Sequence, residues 1–201
     1  FTMLDIVGPF QVLSSLPGSE VVWVAEVLGP VTDHTGFVSI DATTTFAELT
    51  EADIVVVPGG IGTETLIPDH PVIAWLADVH QRTQWTTSVC TGSLLLAAAG
   101  LLRGKPATCH WLMMDLLGEL GAEPTAQRVV IDAADRIVTS AGVSSGIDMG
   151  LTLVEEMHGQ AMAETIQLAI EYDPQPPVDA GSPEKAGADI QELVRLSFAG
   201  I

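Results

Sequence analysis

A cysteine at the junction of a β-strand and a helix carries the strongest chemical signal in this sequence. The run Trp85–Val89 is typical of a strand, Cys90 follows it directly, and the small residues Thr91, Gly92 and Ser93 precede an apolar, alanine-rich stretch. This order predicts a nucleophile elbow, in which the reactive atom lies at a sharp strand-to-helix turn. The helix dipole and the free N–H groups of that turn are expected to lower the pKa of the Cys90 thiol. The alternative is a buried cysteine that only fills space.

A glycine pair ends a second predicted strand. Pro58-Gly59-Gly60 follows the β-branched run Asp53–Val57. Glycines at a strand end can present backbone N–H groups to a negatively charged group, although the same residues also make ordinary turns. Combined with the elbow, they predict an anion-stabilising site formed by the N–H groups of Gly60 and Thr91.

Other polar residues are candidates for acid–base chemistry. Asp5 precedes a Gly-Pro pair in a predicted helix, where an acid could also serve as a helix cap. Thr91 could likewise cap its helix through the hydroxyl. His110 could act as a base for Cys90, as in Cys–His hydrolases, or could be a packed residue beside Trp111.

The cysteine count argues against disulfides and metal. Cys90 and Cys109 do not make a disulfide framework, so a reducing cytoplasm is the expected compartment. His110 follows Cys109, but the sequence has no second Cys/His pair at zinc-type spacing. We therefore expect no metal site.

Composition excludes several classes of partner. The 201 residues are 47% hydrophobic and 16% charged, which is typical of a well-packed globular domain. The formal net charge of −19 argues against binding to nucleic acid or to anionic membrane surfaces and favours a solvated acidic surface. The longest apolar stretch, Ser93–Leu102, is about half of what a membrane span needs. No signal-peptide pattern is visible at the start.

Strands and helices alternate along the chain. The predicted strands are Val21–Val27, Asp53–Val57, Trp85–Val89 and Arg136–Thr139, with hairpins at Val31–Ile40 and Gln127–Thr139. The predicted helices are Asp5–Leu16, Pro71–Gln81, Trp111–Leu120, Ser145–His158, Gln160–Glu171 and Asp189–Phe198. This alternation predicts an α/β sandwich with a mostly parallel sheet, whose ligands bind at the carboxyl ends of the strands. Cys90, Gly60 and Asp5 are all predicted to lie at or near that edge.

Two motifs resemble a known superfamily. Val57-Pro58-Gly59-Gly60 and Ser88–Ser93 are similar to the corresponding turns of the ThiJ/PfpI superfamily, with its class I glutamine amidotransferase-like, flavodoxin-like fold. Within it, the chain most resembles the isonitrile hydratase family. That resemblance rests on the segments Leu4–Phe10, Thr43–Ala47, Ala98–Leu102, Ala107–Trp111, Gly146–Asp148, Glu171-Tyr172 and Ala180–Pro183. It covers essentially the whole chain.

The resemblance implies a function and a residue assignment. It implies a flavodoxin-like three-layer sandwich in which Cys90 is the nucleophile, Asp5 its acidic partner and Thr91 the threonine beside it. It implies hydration of an isonitrile by water to an N-substituted formamide through a thioimidate, without a cofactor, in a homodimer. The alternatives are a glyoxalase- or hydrolase-like enzyme, the ligand-sensing domain of a transcription regulator, and a redox sensor at Cys90.

The resemblance also implies the domain organisation. The family opens with an apolar first strand followed by Phe-Pro-Gly, and this sequence begins at Phe1-Thr2-Met3. We therefore expect residues 1–201 to form one domain whose first strand precedes Phe1 in a longer chain.

Overall fold

The computed structural model describes residues 1–199, which cluster into two compact units. The first unit is Phe1–Ile170, and the second begins at Glu171. The helices are α1 (Met3–Leu13), α2 (Pro71–Val79), α3 (Gly92–Ala98), α4 (Met114–Glu119), α5 (Ser145–His158), α6 (Gln160–Ala169) and α7 (Ala188–Ala199). Short 3-10 helices lie at Thr63–Leu66, His80–Arg82 and Trp111–Met113.

The strands are short and fall into several sheets. They are β1 (Val24–Ala25), β2 (Gly29–Thr32), β3 (Ser39–Ala42), β4 (Thr44–Thr45), β5 (Ile54–Val57), β6 (Trp85–Val89), β7 (Pro106–Ala107), β8 (Glu123–Pro124), β9 (Val129–Asp132) and β10 (Ile137–Ser140). The largest sheet has the order β5-β6-β10-β9. Its first three strands are parallel and β9 is antiparallel to β10. The carboxyl ends of β5, β6 and β10 therefore meet at one edge, as the alternating pattern predicts.

Helices cover both faces of this sheet. On one face, α2, α3 and α4 bury an apolar core that includes Leu76, Leu94 and Leu117. On the other, α1, α5 and α6 pack together around Val12 and Val154. The result is a three-layer α/β sandwich, and the strand β6 is buried along its whole length in the middle of it. Thr86, Thr87 and Ser88 are fully buried there. Burial of these polar side chains is tolerated because each hydroxyl has a hydrogen-bond partner.

Most predicted elements are confirmed, some with the same bounds, such as Trp85–Val89 and Ser145–His158. The predicted strand Val21–Val27 is wrong in extent, since only Val24–Ala25 pairs, with β4. Both hairpins are confirmed. The paired strands of the first hairpin, Gly29–Thr32 and Ser39–Ala42, lie farther from the turn than predicted. The turn between them is wider, and in it the Asp33 carboxylate accepts bonds from the Thr35 hydroxyl and the Val38 N–H.

A cavity of about 870 Å³ lies between β1 and β5. Its lining combines aromatic side chains, among them Phe10, Trp23 and Trp75, with polar ones such as Glu51 and Gln84. Within residues 1–199, β5 is the first strand of its sheet and pairs with β6. The cavity lies along β5. Cys90 is not among the residues that line this cavity.

The C-terminal unit contains the helix predicted at Asp189–Phe198, which spans Ala188–Ala199. Across residues 1–199, no helix combines the length and the apolar character that a membrane span requires.

Candidate active site

Cys90 occupies a strained turn held by backbone hydrogen bonds. Its φ is 58°, a left-handed conformation that is uncommon for a residue other than glycine. Its N–H donates to the carbonyl of Ser140, the last residue of the neighbouring parallel strand β10, at 3.1 Å and to that of Ala141, which follows it, at 2.9 Å. Such strain persists only where the surroundings over-determine it, and it is typical of functional sites. The predicted elbow is therefore present, with α3 beginning at Gly92.

Gly92 is required by a close backbone approach. A Cβ at this position would lie 2.2 Å from the Val57 carbonyl oxygen, and one at Gly59 would lie 2.4 Å from the Thr91 nitrogen. The elbow and the turn after β5 thus pack backbone against backbone, as glycine alone permits. This contact brings the two predicted turns together into one site.

Asp5 reaches the site from the first turn of α1. It is fully buried, and its Oδ2 accepts a hydrogen bond from the Gly59 N–H at 3.0 Å. The interpretation of Asp5 as a helix cap is wrong, because Thr2 occupies the N-cap position. The carboxyl group also interacts with the Cys90 thiol, while Oδ1 makes no hydrogen bond among the described residues. Asp5 is therefore placed to exchange a proton within the site.

Burial dominates the titration of this pair. Desolvation raises the pKa of Asp5 to about 6, although the Gly59 N–H and the Cys90 thiol oppose the shift. Desolvation, followed by the charge of Asp5, raises the pKa of Cys90 to about 12. The Val143 and Thr91 N–H groups act in the opposite direction, as expected at an elbow, but they do not outweigh burial. Burial therefore favours the neutral form of both side chains.

The Thr91 hydroxyl links the two turns. Thr91 is the N-cap residue of α3, yet its side chain makes no capping bond. Its Oγ1 instead accepts from the Gly60 N–H at 2.9 Å and lies 2.9 Å from the Thr63 Oγ1. Thr63 in turn donates to the Gly60 carbonyl at 2.7 Å. The predicted anion donor Gly60 is thus engaged by the Thr91 hydroxyl, while the Thr91 N–H points at the Cys90 sulfur.

His110 is a packed neighbour of the site. Its Nδ1 accepts from the Leu112 N–H at 3.4 Å, and its ring lies against Gly142, where a Cβ would be 2.6 Å from Cδ2. Burial lowers the pKa of His110, so the ring is neutral at pH 7. Its geometry thus places it beside the loop after β10. In residues 1–199 no group of three or more His, Cys, Asp or Glu side chains is arranged to hold a metal ion.

The sequence analysis did not identify two residues that contact the site. The Val143 N–H donates to the Cys90 sulfur, and the Thr63 hydroxyl contacts Thr91. The signal for Val143 was available, because Ala141–Gly146 is a run of small residues at the carboxyl end of a parallel strand. No spacing rule points to Thr63.

Comparisons with known proteins agree with this geometry. The sequence profile described as the DJ-1/PfpI family matches residues 1–156. Isonitrile hydratase from Pseudomonas putida is 44% identical over 196 residues, which cover 98% of this chain and 85% of that protein. The crystal structure of a THiJ/PfpI family protein from Pseudomonas syringae superposes with a TM-score of 0.92 at 42% identity, covering 99% of this chain and 82% of the other. Schizosaccharomyces pombe DJ-1, at 21% identity, a TM-score of 0.70 and coverage of 86% and 94%, shares the fold.

Proposed function

This chain belongs to the DJ-1/PfpI family, and from its 44% identity to an isonitrile hydratase over 98% of its length we propose that it is an isonitrile hydratase, which converts an organic isonitrile and water to an N-substituted formamide. The observation that carries the proposal is the buried Asp5 carboxyl beside the Cys90 thiol, which the strained elbow holds in place. Hydration of an isonitrile by covalent catalysis needs a nucleophile that attacks the terminal carbon and a proton delivered to the same atom, and the Cys90 thiol and the Asp5 carboxyl are suited to supply them.

In the first step, Asp5 accepts the Cys90 thiol proton as the sulfur attacks the terminal isonitrile carbon. The S–C bond forms, and Asp5 returns the proton to that carbon, which gives a thioimidate. The raised pKa of Asp5 suits it to this exchange, because a carboxyl near pKa 6 both accepts and releases a proton readily at neutral pH. The thiol proton is consumed by the reaction, so a thiol that is protonated at rest is compatible with it.

In the second step, water attacks the thioimidate carbon with Asp5 as general base. One hydrogen of the water ends on nitrogen and the other returns to sulfur as the C–S bond breaks. The product is the formamide, and the enzyme regains its thiol. Splitting the addition in two in this way replaces one difficult step with two easier ones.

The backbone donors stabilise negative charge that develops during these steps. In this proposal, the Thr91 N–H, which points at the sulfur, acts directly, and the Gly60 N–H acts on the Thr91 hydroxyl that it binds. His110 has a supporting role, since its ring packs against Gly142 beside the site. The mechanism uses no metal or organic cofactor.

The proposal extends to partners and compartment. The charge of −19 supports a protein that does not bind nucleic acid. The free cysteines Cys90 and Cys109 support a reducing cytoplasm. We carry a homodimer over from the resemblance, and light scattering of the purified protein tests it.

The decisive experiment mixes reduced protein with cyclohexyl isocyanide and follows N-cyclohexylformamide by chromatography. We expect Cys90→Ala to lower the rate by at least about a thousandfold, because the nucleophile is removed. Cys109→Ala is the matched control, since it removes the other buried cysteine, and it should keep most of the activity. Asp5→Asn should lose about a hundredfold or more if Asp5 transfers protons, and little if it only positions Cys90.

The opposite result has a clear meaning. If the wild-type protein forms no formamide from several isonitriles, the hydratase assignment is wrong. Conversion of an α-oxoaldehyde by the same protein, lost in Cys90→Ala, would then favour the glyoxalase-like alternative.

A further inference from the structure

The loop that follows β10 both binds and supports the nucleophile. Its Ala141 carbonyl accepts from the Cys90 N–H at 2.9 Å, and its Val143 N–H donates to the Cys90 sulfur. Val143 has a φ of 37°, which is a genuine outlier for a β-branched residue. Such a conformation costs free energy and persists only where neighbouring contacts enforce it. The question is which contacts enforce it.

Arg128 contacts both ends of this loop. It precedes β9, and its carbonyl accepts the Ala141 N–H at 2.9 Å. At the other end, its Nη2 donates to the Ser144 hydroxyl at 3.2 Å and its Nε donates to the Asp148 carboxylate in the first turn of α5. One residue thus joins the strand β9 to the beginning and the end of the loop that carries Val143.

The Ser144 side chain bonds to Arg128 and not to the helix that it precedes. Ser144 is the N-cap residue of α5, a position where serine usually bonds to the helix N–H groups. Here its side chain makes no capping bond and faces Arg128 instead. An exposed ion pair alone contributes little to stability. The planar guanidinium, however, fixes direction through its two separate contacts.

We propose that Arg128 is a positioning residue that holds the loop between β10 and α5 in its strained shape, so that the Val143 N–H is directed at the Cys90 sulfur. Without Arg128, the loop relaxes toward a negative φ at Val143 and that N–H turns away. The inference deepens the proposed hydratase function, because it names a residue that acts on the nucleophile without touching it. It makes Cys90 reactivity depend on a side chain at the protein surface.

The sign of the effect follows from the groups around Cys90. Burial and the charge of Asp5 on α1 disfavour the thiolate, and the ring of His110 packs against the same loop. The Val143 and Thr91 N–H groups favour the thiolate. Loss of one of these two donors therefore lowers the thiolate fraction at every pH below the thiol pKa.

The test measures thiol reactivity in the whole protein. Iodoacetamide labelling of Cys90, resolved by peptide mass spectrometry between about pH 7 and 10, reports the thiolate fraction. In Arg128→Met we expect labelling of Cys90 to slow about tenfold at each pH, and kcat with cyclohexyl isocyanide to fall by a similar factor while KM stays within about twofold. Arg128→Lys keeps the positive charge but lacks the planar guanidinium with its several donors. Its Cys90 labelling rate and kcat should therefore lie between those of the wild-type protein and Arg128→Met. Ser144→Ala, which removes one contact alone, should give a smaller loss in the same direction.

Arg82→Met is the matched control. Arg82 likewise joins a carboxylate, that of Asp78, to a second segment through the Thr50 carbonyl, but it makes no contact with the loop after β10 in the described structure. We expect it to change the melting temperature about as much as Arg128→Met without slowing Cys90 labelling. Unchanged labelling in folded Arg128→Met and Ser144→Ala, or equal slowing in Arg82→Met, overturns the proposal. The labelling result does not depend on isonitrile turnover, so failure of the hydratase function would be recognised separately.

Discussion

The two side chains that meet at the site are held in different ways. Cys90 follows β6, which has a paired strand on each side, and its backbone N–H has two carbonyl acceptors. Asp5 comes from the first turn of α1, beside β5, where it is fully buried and its Oδ2 accepts a hydrogen bond from the Gly59 N–H. Backbone packing therefore fixes the position of Cys90, whereas burial raises the pKa of Asp5. Mutations on the two sides should fail in different ways.

Among variants that keep both Cys90 and Asp5, the largest effect is expected where backbone packing is broken. Gly92→Ala places a methyl group 2.2 Å from the Val57 carbonyl oxygen, so the elbow must move away from β5. We expect a loss of about 3 kcal/mol or more in the free energy of unfolding, measured by urea denaturation. A displaced nucleophile should also lower kcat by about a hundredfold.

Gly181→Ala is the control for this substitution. No atom lies within 4 Å of a Cβ built there, and the backbone needs no left-handed conformation. It should change stability by less than about 0.5 kcal/mol. If Gly92→Ala behaved like Gly181→Ala, backbone contact would not be what positions Cys90.

The Cys90 elbow and the turn after β5 that packs against it are also the part of the site that the sequence predicts best. A continuous apolar or β-branched run, a cysteine and three small residues define the elbow by local rules, and the Pro58-Gly59-Gly60 turn does the same for β5. The pKa of the Cys90 thiol was predicted in the wrong direction, because local helix-end effects are visible in sequence and burial is not. The Val143 strain and the Thr63–Thr91 contact arise only when distant segments meet, so no local pattern encodes them.

The second prediction concerns the acid. Because the folded pKa of Asp5 is raised from 3.8 to about 6, the native state binds more protons than the unfolded chain between those pH values. Stability contributed by the neutral carboxyl is therefore fully present below about pH 4, lost as pH rises to about 6, and absent above that. The total is about 3 kcal/mol, and Asp5→Asn should remove this dependence.

The measurement is urea unfolding of both proteins at about pH 4 and 7.5. The wild-type protein should lose stability relative to Asp5→Asn as pH rises, with the difference changing by about 3 kcal/mol. Asp115→Asn is the control, since Asp115 also lies in the first turn of a helix but is exposed. A stability difference between wild type and Asp5→Asn that stays constant with pH would show that burial does not set the protonation of Asp5.

The smallest effect is expected at the hydroxyl contact that joins the two sides. Thr63→Val removes the Thr63 contact with the Thr91 hydroxyl, together with the Thr63 bond to the Gly60 carbonyl, but leaves the contacts of the Thr91 hydroxyl with Gly60 intact. A net loss of about 1 kcal/mol for one hydrogen bond corresponds to about fivefold in kcat, with KM little changed. Thr65→Val is the matched control, because Thr65 lies on the same 3-10 helix and bonds the Gly62 carbonyl at 2.7 Å.

The comparison of these two threonine variants separates local stability from catalysis. Each loses one hydroxyl-to-carbonyl bond within the same turn, so an equal fall in kcat would mean that the 3-10 helix matters only as a scaffold. A fall confined to Thr63→Val would mean that the Thr91 hydroxyl needs a fixed orientation between the turns after β5 and β6. The turn that binds Asp5 and the turn that carries Cys90 would then be coupled through Thr63. In the described structure, the Thr63 hydroxyl bonds to Gly60 and Thr91 and not to Cys90 or Asp5.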